Sequence, residues 1–442
     1  MELAPPRGTQ DLLPPRADAM LGLYEAAHET ARLYGFRYVE TPTFEATELY
    51  ARTSGETSDV VTKEMYTFQD KGGRSVTLRP EMTPAVVRAA LTNAHALPSP
   101  FKGYYVSTQF RHGRPQAGRM REFRQFGIET LGVEAPGADV EVISLGERFV
   151  RARGLRDYEL VLNSIGDAAC RPAYREELVA YFAPFRDDLD ADCRDRLERN
   201  PLRVFDCKVD GDKDFVLAAP TIAQRLCEPC AAHFAEVRAG LDEEGIAYRL
   251  DPRLVRGLDY YTRTTFEWIS AVLAANKAGT INAGGRYDGL AQTLGGPPTP
   301  GVGFAMGLDR VLLAMEGEGV PLPGTRTPAC AVVAIGAATQ AEGRRLVRAL
   351  RDAGVPSIGP YEERPLKAQL RAADRAGVAY AAIVGERELA EGTVTLRRLA
   401  DGEQQVVAVA DVVRWVRAAG EGPPATDQTD QTDPTDPTET VR

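Results

Sequence analysis

The sequence predicts an α+β fold with two parts: a large domain built on an antiparallel sheet flanked by helices, and a smaller C-terminal α/β domain. Three observations predict it. Residues 1–325 carry β-rich runs between helices without a repeated strand–helix–strand order, which is typical of antiparallel sheets. Within them, residues 167–246 change to a charged helical pattern, which indicates a helical insertion. Residues 326–420 alternate strands and helices over a length typical of one small domain.

The elements of the large domain follow from apolar spacing and from helix-ending glycines. A helix is predicted at 17–34, where Gly35 stops it, and an extended strand begins at 36–39. In the insertion, helices are predicted at 171–182, 192–199 and 231–244.

The C-terminal domain follows a linker rich in proline and glycine at 316–328. Its strands are predicted at 329–335, 355–358, 378–384, 393–399 and 405–409. Helices are predicted at 340–353 and 366–376, and a last helix opens at Asp411.

The last 22 residues, 421–442, repeat Thr, Asp, Gln and Pro, and this composition predicts a disordered acidic tail. The tail holds six acidic residues and one arginine, so it supplies −5 of the formal net charge of −10. The folded part is therefore only mildly acidic, and net charge does not exclude a nucleic-acid partner.

Composition excludes several classes of protein. No apolar run approaches the roughly 18 residues of a membrane span, and the N-terminal residues lack the apolar core of a secretory signal. We therefore expect a soluble, cytoplasmic protein that does not bind membranes. The four histidines are widely separated, which argues against a histidine-ligated metal hydrolase.

Three separated segments combine arginines with glycines in a way that suits phosphate binding, although the chain has neither a lysine-containing phosphate loop nor a dinucleotide fingerprint. They are residues 110–116 (FRHGRPQ), 256–261 (RGLDYY) and 303–310 (GFAMGLDR). Arginine suits phosphate because its planar fork donates two charge-assisted hydrogen bonds and stays ionised.

These segments resemble the signature motifs of class II aminoacyl-tRNA synthetases, and further strings resemble the histidyl-tRNA synthetase family. The strings are residues 7–11, 35–42, 78–83, 256–261 and 283–289, in the family's order, and the likeness extends from Pro6 to Arg417. The resemblance implies a class II catalytic domain, a helical insertion and a C-terminal anticodon-binding domain. It implies an ATP-dependent ligase that forms histidyl-adenylate and then transfers histidine to tRNA(His).

On the ATP side, the resemblance implies that Arg111 grips the α-phosphate and that Arg310, after Gly307, lies near the γ-phosphate. Arg119 would reach the phosphates or the tRNA end, and Phe123 would stack on adenine. Because side chains alternate along a strand, Arg121, Phe123 and Gln125 are predicted to share one face.

On the histidine side, the resemblance implies that the binding residues are Glu81, Thr83, Arg111, Gln125, Glu129, Arg256, Tyr260 and Tyr261. Glu129 and Tyr261 would read the imidazole. A site that hydrogen-bonds both ring nitrogens rejects analogues that lack them, because their buried partners would be left unpaired.

Arg256 resembles the arginine that histidyl enzymes place on the α-phosphate, so Arg111, Arg256 and Arg310 are the predicted catalytic residues. Arginine charge there would stabilise the pentavalent phosphorus. A carboxylate is already the nucleophile, so no general base is needed. Magnesium would accompany ATP, bridging its outer phosphates. The chain departs from the family at Gly113, where motif 2 usually has a glutamate that helps hold ATP.

The cysteine spacing alone does not decide whether the chain binds a structural metal. Cys227 and Cys230 form a zinc-type knuckle, but Cys193 and Cys207 are 14 residues apart and do not form a second one. We expect buried free thiols and no metal site.

Two other functions remain open at this point. The chain could be a catalytically silent, histidine-binding regulatory subunit of ATP phosphoribosyltransferase, or a synthetase-like interaction domain. The first usually lacks the C-terminal domain and the second brings additional modules, so the sequence favours the ligase, acting as a homodimer through the motif 1 region.

Overall fold

The computed structural model describes residues 3–53, 60–207, 209–274, 279–324 and 327–420. The chain divides into two compact units, residues 1–325 and 326–442. The acidic segment 421–442, for which the sequence predicts disorder, lies outside the described residues.

The first unit contains an eight-stranded sheet, a three-stranded sheet and the longer helices. Its strands are β1 (Arg37–Tyr38), β2 (Phe44–Ala46), β3 (Tyr66–Gln69), β4 (Ser75–Leu78), β5 (Phe101–Phe110), β6 (Glu122–Leu131), β7 (Tyr158–Ser164), β8 (Arg249–Leu250), β9 (Thr262–Ser270), β10 (Thr280–Arg286) and β11 (Gly301–Gly307). Its α-helices are α1 (Arg16–Leu33), α2 (Thr47–Thr53), α3 (Thr83–Thr92), α4 (Gly137–Ala152), α5 (Arg171–Phe182), α6 (Ala191–Arg199), α7 (Asp214–Leu217), α8 (Glu228–Glu243), α9 (Ala271–Ala274), α10 (Leu290–Thr293) and α11 (Leu308–Glu318).

The large sheet has the order β1-β5-β6-β11-β10-β9-β7-β8. Its six central strands are antiparallel, and the short edge strands β1 and β8 add in parallel. The predicted antiparallel sheet is therefore confirmed at its centre, with parallel additions at both edges. The register sets Gly307 of β11 opposite Gln125 of β6, so segments distant in sequence meet at one level of the sheet.

One face of the sheet carries the main core. Phe126 and Ile128 on β6 and Phe304 on β11 are buried there with apolar residues of α1, α4 and α11. Burying one such large apolar side chain contributes about 1.5–3 kcal/mol. Since side chains alternate along a strand, Gln125 and Glu129 are left on the opposite face, away from these helices.

The part of the insertion from Tyr174 to Ile222 folds around its own core, which includes Phe182 and Leu202. Helix α8, which the sequence pattern placed in the insertion, packs instead into the main core. Helix α5 has the predicted bounds, and α6 begins one residue before the predicted helix. The expectation of free thiols is wrong for one pair, because Cys193 and Cys207 are disulfide-bonded with their Cα atoms 6.6 Å apart. The chain turns back after α6, so the sequence spacing of 14 residues hides their proximity.

The second unit is a five-stranded mixed sheet with helices. Its elements are β12 (Cys330–Ala334), α12 (Gln340–Asp352), β13 (Ser357–Ile358), α13 (Leu366–Arg375), β14 (Tyr380–Val384), α14 (Glu386–Glu391), β15 (Thr393–Arg398), β16 (Gln404–Ala408) and α15 (Val412–Gly420). The order is β13-β12-β14-β15-β16, with the first three parallel and the last two antiparallel additions. Every strand predicted for this region is present, each slightly shorter than or shifted from its apolar run. Helix α14 was not predicted.

No helix in the described part of the chain is long and apolar enough to cross a membrane.

Candidate active site

A cavity of about 280 Å³ opens on the sheet face opposite the main core. All the predicted site residues except Glu129 line it: Glu81, Thr83, Arg111, Arg119, Phe123, Gln125, Arg256, Tyr260, Tyr261, Gly307 and Arg310. They come from β6, from the end of β11, from the start of α3 and α11 and from three loops. The pleat of β6 turns Phe123 and Gln125 to this face, and the loops and helix starts bring the other side chains to the same cavity.

The loop between β5 and β6 positions Arg111 at the cavity wall. The Arg111 amide donates to the carbonyl of Arg121 at 2.9 Å, and its side-chain Nε donates to the carbonyl of Pro80 at 2.9 Å. The Arg111 guanidinium lies 5.4 Å from the centre of the Phe123 ring. The loop thus presents a cation and an aromatic face side by side.

Arg121 does not join that pair, because it lies just before β6 begins and turns away from the cavity. Its guanidinium donates at 3.4 Å to the carbonyls of Gly113 and Arg7. The prediction that Arg121 shares the ligand-facing side with Phe123 and Gln125 is wrong, since strand alternation holds only where the strand is formed. The Gln125 Oε1 is buried and has no hydrogen-bond partner within the described residues.

Arg310 enters from the first turn of α11. Its Nε donates to the carbonyl of Gly118 at 2.7 Å and its Nη1 to the carbonyl of Thr280 at 2.6 Å. Burial, and then the like charges of Arg119 and Arg111, lower the pKa of Arg310 to about 10. It remains cationic near neutral pH, so three arginines concentrate positive charge at this end of the cavity.

Arg256 is held by an acid that sequence reasoning missed. Its guanidinium forms a short ion pair with Glu267 of β9, and Glu267 also accepts from the Thr280 hydroxyl at 2.8 Å. Burial is the largest influence and opposes the charge of Arg256, but Glu267, Tyr261 and Tyr260 together keep the pKa of the guanidinium above its usual value. The detectable signal was an acid between two aromatic residues, Phe266 and Trp268, which are both buried in the core.

Glu81 provides a buried carboxylate at the cavity, near Tyr260 and Tyr261. Its side chain is buried and accepts from the Tyr260 hydroxyl at 2.7 Å. Burial, and then the charge of Glu81, hold the pKa of Tyr260 well above its usual value, so the phenol stays a donor. The ring of Tyr261 packs beside it, with ring centres 4.7 Å apart.

Glu129 lies behind the cavity wall instead of on it. The Thr83 hydroxyl donates to its Oε1 at 2.6 Å, and the Tyr287 hydroxyl donates to its Oε2. Burial raises the pKa of Glu129 to about 8, although these hydrogen bonds oppose the shift. A Cβ at Gly303 would overlap the carboxylate, so glycine there makes room for it.

Glu64 lies where the missing motif 2 glutamate leaves space. A Cβ built at Gly113 would be 3.3 Å from the Glu64 Oε1, and both residues line the cavity. The Glu64 carbonyl also accepts from the amide of His112 at 2.7 Å. A carboxylate therefore reaches this wall from another segment.

An antiparallel sheet that gathers arginines from three separate segments at one cavity, together with a C-terminal mixed α/β unit, defines a class II aminoacyl-tRNA synthetase. The sequence model described as "Histidyl-tRNA synthetase" matches residues 8–311, and the one described as "Anticodon binding domain" matches residues 329–419. The chain belongs to the histidyl-tRNA synthetase family, whose members are ATP-dependent ligases of histidine and tRNA.

Similar proteins agree with this assignment. A histidine–tRNA ligase of Moorella thermoacetica is 48% identical over 94% of this chain and 98% of its own. One of Anoxybacillus flavithermus is 46% identical over 91% and 96%. The crystal structure of apo histidyl-tRNA synthetase from S. aureus superposes with a TM-score of 0.79 at 36% identity, over 94% of this chain and 100% of that one. The predicted family, fold class and ligase function are confirmed.

The regulatory-subunit alternative is not favoured. A structure titled as an ATP phosphoribosyltransferase regulatory subunit/histidyl-tRNA synthetase from Bacillus halodurans has a TM-score of 0.62 at 21% identity, over 87% of this chain and 98% of that one. At that identity the likeness concerns the fold alone, whereas the curated relatives named above are ligases.

Proposed function

We propose that this cavity performs histidine activation with two groups of residues. Arg111, Arg256 and Arg310 bind the phosphates of ATP, and Glu81 binds the ammonium group of histidine. The observation that carries the proposal is that the buried carboxylate of Glu81 and several arginines line a single cavity. An amino acid zwitterion and a polyphosphate need those opposite charges in one continuous space.

The adenine ring would lie against Phe123, with Arg119 and Arg310 directed at the outer phosphates. Magnesium would enter with ATP and would neutralise part of the charge of its outer phosphates. Glu64 takes the place of the absent motif 2 glutamate, because its carboxylate borders Gly113 at the cavity.

At the histidine end, Tyr261 and Gln125 contact the substrate directly. The unpaired Oε1 of Gln125 is an acceptor available to a ligand N–H. Glu129 acts as a positioning residue, since it orients Thr83 and Tyr287 from behind the wall. This modifies the expectation that Glu129 contacts the imidazole itself.

In the reaction, a carboxylate oxygen of histidine bonds to the α-phosphorus as the bond to the bridging β-oxygen breaks and pyrophosphate leaves. Arg256 stabilises the charge that builds on the α-phosphate, and Glu267 fixes the guanidinium in place. The ribose hydroxyl at the tRNA end then attacks the histidyl carbonyl and AMP leaves.

The second unit, residues 326–420, would read the anticodon, as its match to an anticodon-binding model supports.

We further propose a homodimer through the motif 1 region, because Tyr38, Phe44 and Phe68 are large apolar side chains that remain exposed there. A cytoplasmic location follows from the need for tRNA and ATP.

The assignment of Glu81 to histidine and of Arg310 to ATP is tested by comparing Glu81→Gln with Arg310→Ala in histidine-dependent pyrophosphate exchange. Glu81→Gln should raise KM for histidine by about tenfold or more, since it removes the charge that binds the ammonium, with KM for ATP little changed. Arg310→Ala should show the reverse pattern. If both variants change the same KM, the two-group proposal is wrong.

A further inference from the structure

Four potential metal ligands meet where the insertion joins the large sheet. Asp167 and Cys170 follow the end of β7, and Cys170 is the residue that precedes α5. Cys227 precedes α8, and Cys230 lies in its first turn. The chain therefore brings an Asp-x-x-Cys segment and a Cys-x-x-Cys segment to one point, although 56 residues separate them.

The distances between these ligand atoms fit one small ion. All four ligand atoms lie within 4.8 Å of one another. The sulfurs of Cys170 and Cys230 are 3.9 Å apart, and the Asp167 Oδ1 is 3.6 Å from the Cys170 sulfur and 3.9 Å from the Cys227 sulfur. Tetrahedral zinc, with bonds of about 2.3 Å to sulfur and 2.1 Å to oxygen, separates two sulfurs by about 3.8 Å and a sulfur from an oxygen by about 3.6 Å.

Two residues beside the cluster have a left-handed backbone conformation, which is common for glycine and rare for arginine. Gly166 has φ +64°, and a Cβ there would collide with the Cys170 sulfur. Arg263 is the one described residue other than glycine with positive φ, at +50°. It is fixed by hydrogen bonds between its amide and the Gly166 carbonyl at 2.7 Å, and between its carbonyl and the Ile165 amide at 2.8 Å. Such conformations persist where the surroundings impose them, often at ligand sites.

Cationic side chains surround the cluster. Arg263 lies 3.6 Å from the Asp167 Oδ2, and Arg171 directly follows Cys170. Three thiolates and one carboxylate exceed the charge of a divalent ion, and these arginines offset the remainder. The amide of Asp167 also donates to the Cys170 sulfur at 3.3 Å, as amides do around metal-bound thiolates.

We propose that Asp167, Cys170, Cys227 and Cys230 bind one zinc ion with tetrahedral geometry. The sequence spacing showed no second knuckle to pair with Cys227 and Cys230 and led us to expect no metal site. Cys193 and Cys207 lie in a separate cluster with Asp190 and Asp210. Zinc is preferred because sulfur-rich tetrahedral sites select it over harder divalent ions.

The proposed zinc site would stabilise one wall of the cavity. Arg171 donates a short hydrogen bond to the carbonyl of Tyr261, so the start of α5 is tied to the segment that lines the cavity. An ion beside Cys170 would fix the insertion to that segment.

The test measures zinc in the full-length protein, purified without chelators or a metal-affinity tag, by elemental analysis. We expect about one zinc per chain, and below about one tenth in the Cys227→Ser/Cys230→Ser variant. Cys330→Ala, which removes a buried thiol from the other unit, and Cys193→Ser should both keep the metal. A wild-type protein without zinc, or a Cys227→Ser/Cys230→Ser variant that retains it, would overturn the proposal, and so would loss of zinc in Cys193→Ser alone.

A second measurement does not depend on the folding of a variant. Cobalt substituted for zinc in the wild-type protein should give the intense visible absorption of tetrahedral thiolate-bound cobalt, and a mercurial thiol reagent should release zinc as it reacts with the three cysteines. Cobalt with only the weak absorption of octahedral oxygen ligation, or zinc that remains bound after the thiols have reacted, contradicts the site.

Discussion

Arg256 and Glu267 form an ion pair that would fix the direction of the proposed catalytic charge. The pair is short and its two side chains are only 16% and 15% exposed, so the guanidinium is fixed in direction before substrate binds. Sequence reasoning identified Arg256 from its motif but did not identify Glu267, because the acid lies 11 residues further along, in a separate strand.

Replacing Arg256 with Ala should lower the rate constant of adenylate formation by on the order of a hundredfold or more, the usual loss for one preorganised donor to developing charge. Lys should restore only part of the rate, since it lacks the bidentate fork. The measurement is single-turnover adenylation at saturating ATP and histidine. Arg253→Ala, at a more exposed arginine of the same segment, is the matched control. A rate for Arg256→Ala within about threefold of wild type corresponds to under 1 kcal/mol and would exclude the role.

Glu129 should make stability depend on pH. Its pKa rises from an ordinary value of 4.5 to about 8 on burial, so the folded protein holds a proton that the unfolded chain releases. The stability contributed by the neutral carboxyl is complete below about pH 4.5 and is lost as pH rises through about 8. Glu129→Gln, which stays neutral, should show a smaller fall in Tm between pH 6 and pH 9 than wild type. If Tm falls equally with pH in the two proteins, the raised pKa of Glu129 is contradicted.

At the scale of elements, Arg286 joins β10 to α4. It is fully buried and pairs with Asp139 through a short contact, while its Nη1 donates to the Val133 carbonyl at 2.9 Å. The string at 283–289 was recognised in the sequence by resemblance, and the structure gives its arginine this structural partner. Removing one member of a buried pair leaves the other charge without compensation.

Arg286→Ala should therefore lower the free energy of unfolding by about 3–5 kcal/mol, whereas Arg249→Ala should cost less than about 1 kcal/mol. Arg249 is the matched control because it pairs with Glu159 at 2.9 Å on the exposed side of the same unit. Urea unfolding followed by circular dichroism measures both. Equal losses of unfolding free energy in the two variants would show that Arg286 and Asp139 do not act as a buried ion pair.

Helices were predicted accurately where the spacing of apolar residues within the helix itself defines them. Helix α5 matches its predicted bounds because its apolar spacing is regular, and the start of α12 matches for the same reason. Strand β13 is only two residues long, at a sheet edge where pairing with one neighbour decides its length. The meeting of Asp167 with Cys227, and the position of Glu129 behind the cavity wall, depend on contacts between distant segments that spacing cannot reveal.

At the scale of the whole molecule, the presence of two compact units suggests that each unit carries a separate function. Removing residues from Thr327 onward should spare a measurable part of histidine-dependent pyrophosphate exchange, because the cavity residues all belong to the first unit. Charging of tRNA should fall severely. Charging assays of the truncated and full-length proteins decide this, with circular dichroism as the folding control, and near-normal charging by the truncated protein would refute the anticodon role.

The most direct test of the account is ATP–pyrophosphate exchange with each of the twenty amino acids. Histidine alone should support exchange, since the cavity offers a carboxylate for its ammonium and buried polar groups for its ring, and analogues without those ring nitrogens leave the groups unpaired. Exchange with another amino acid at a comparable rate, or no exchange with histidine by folded protein, would contradict the account.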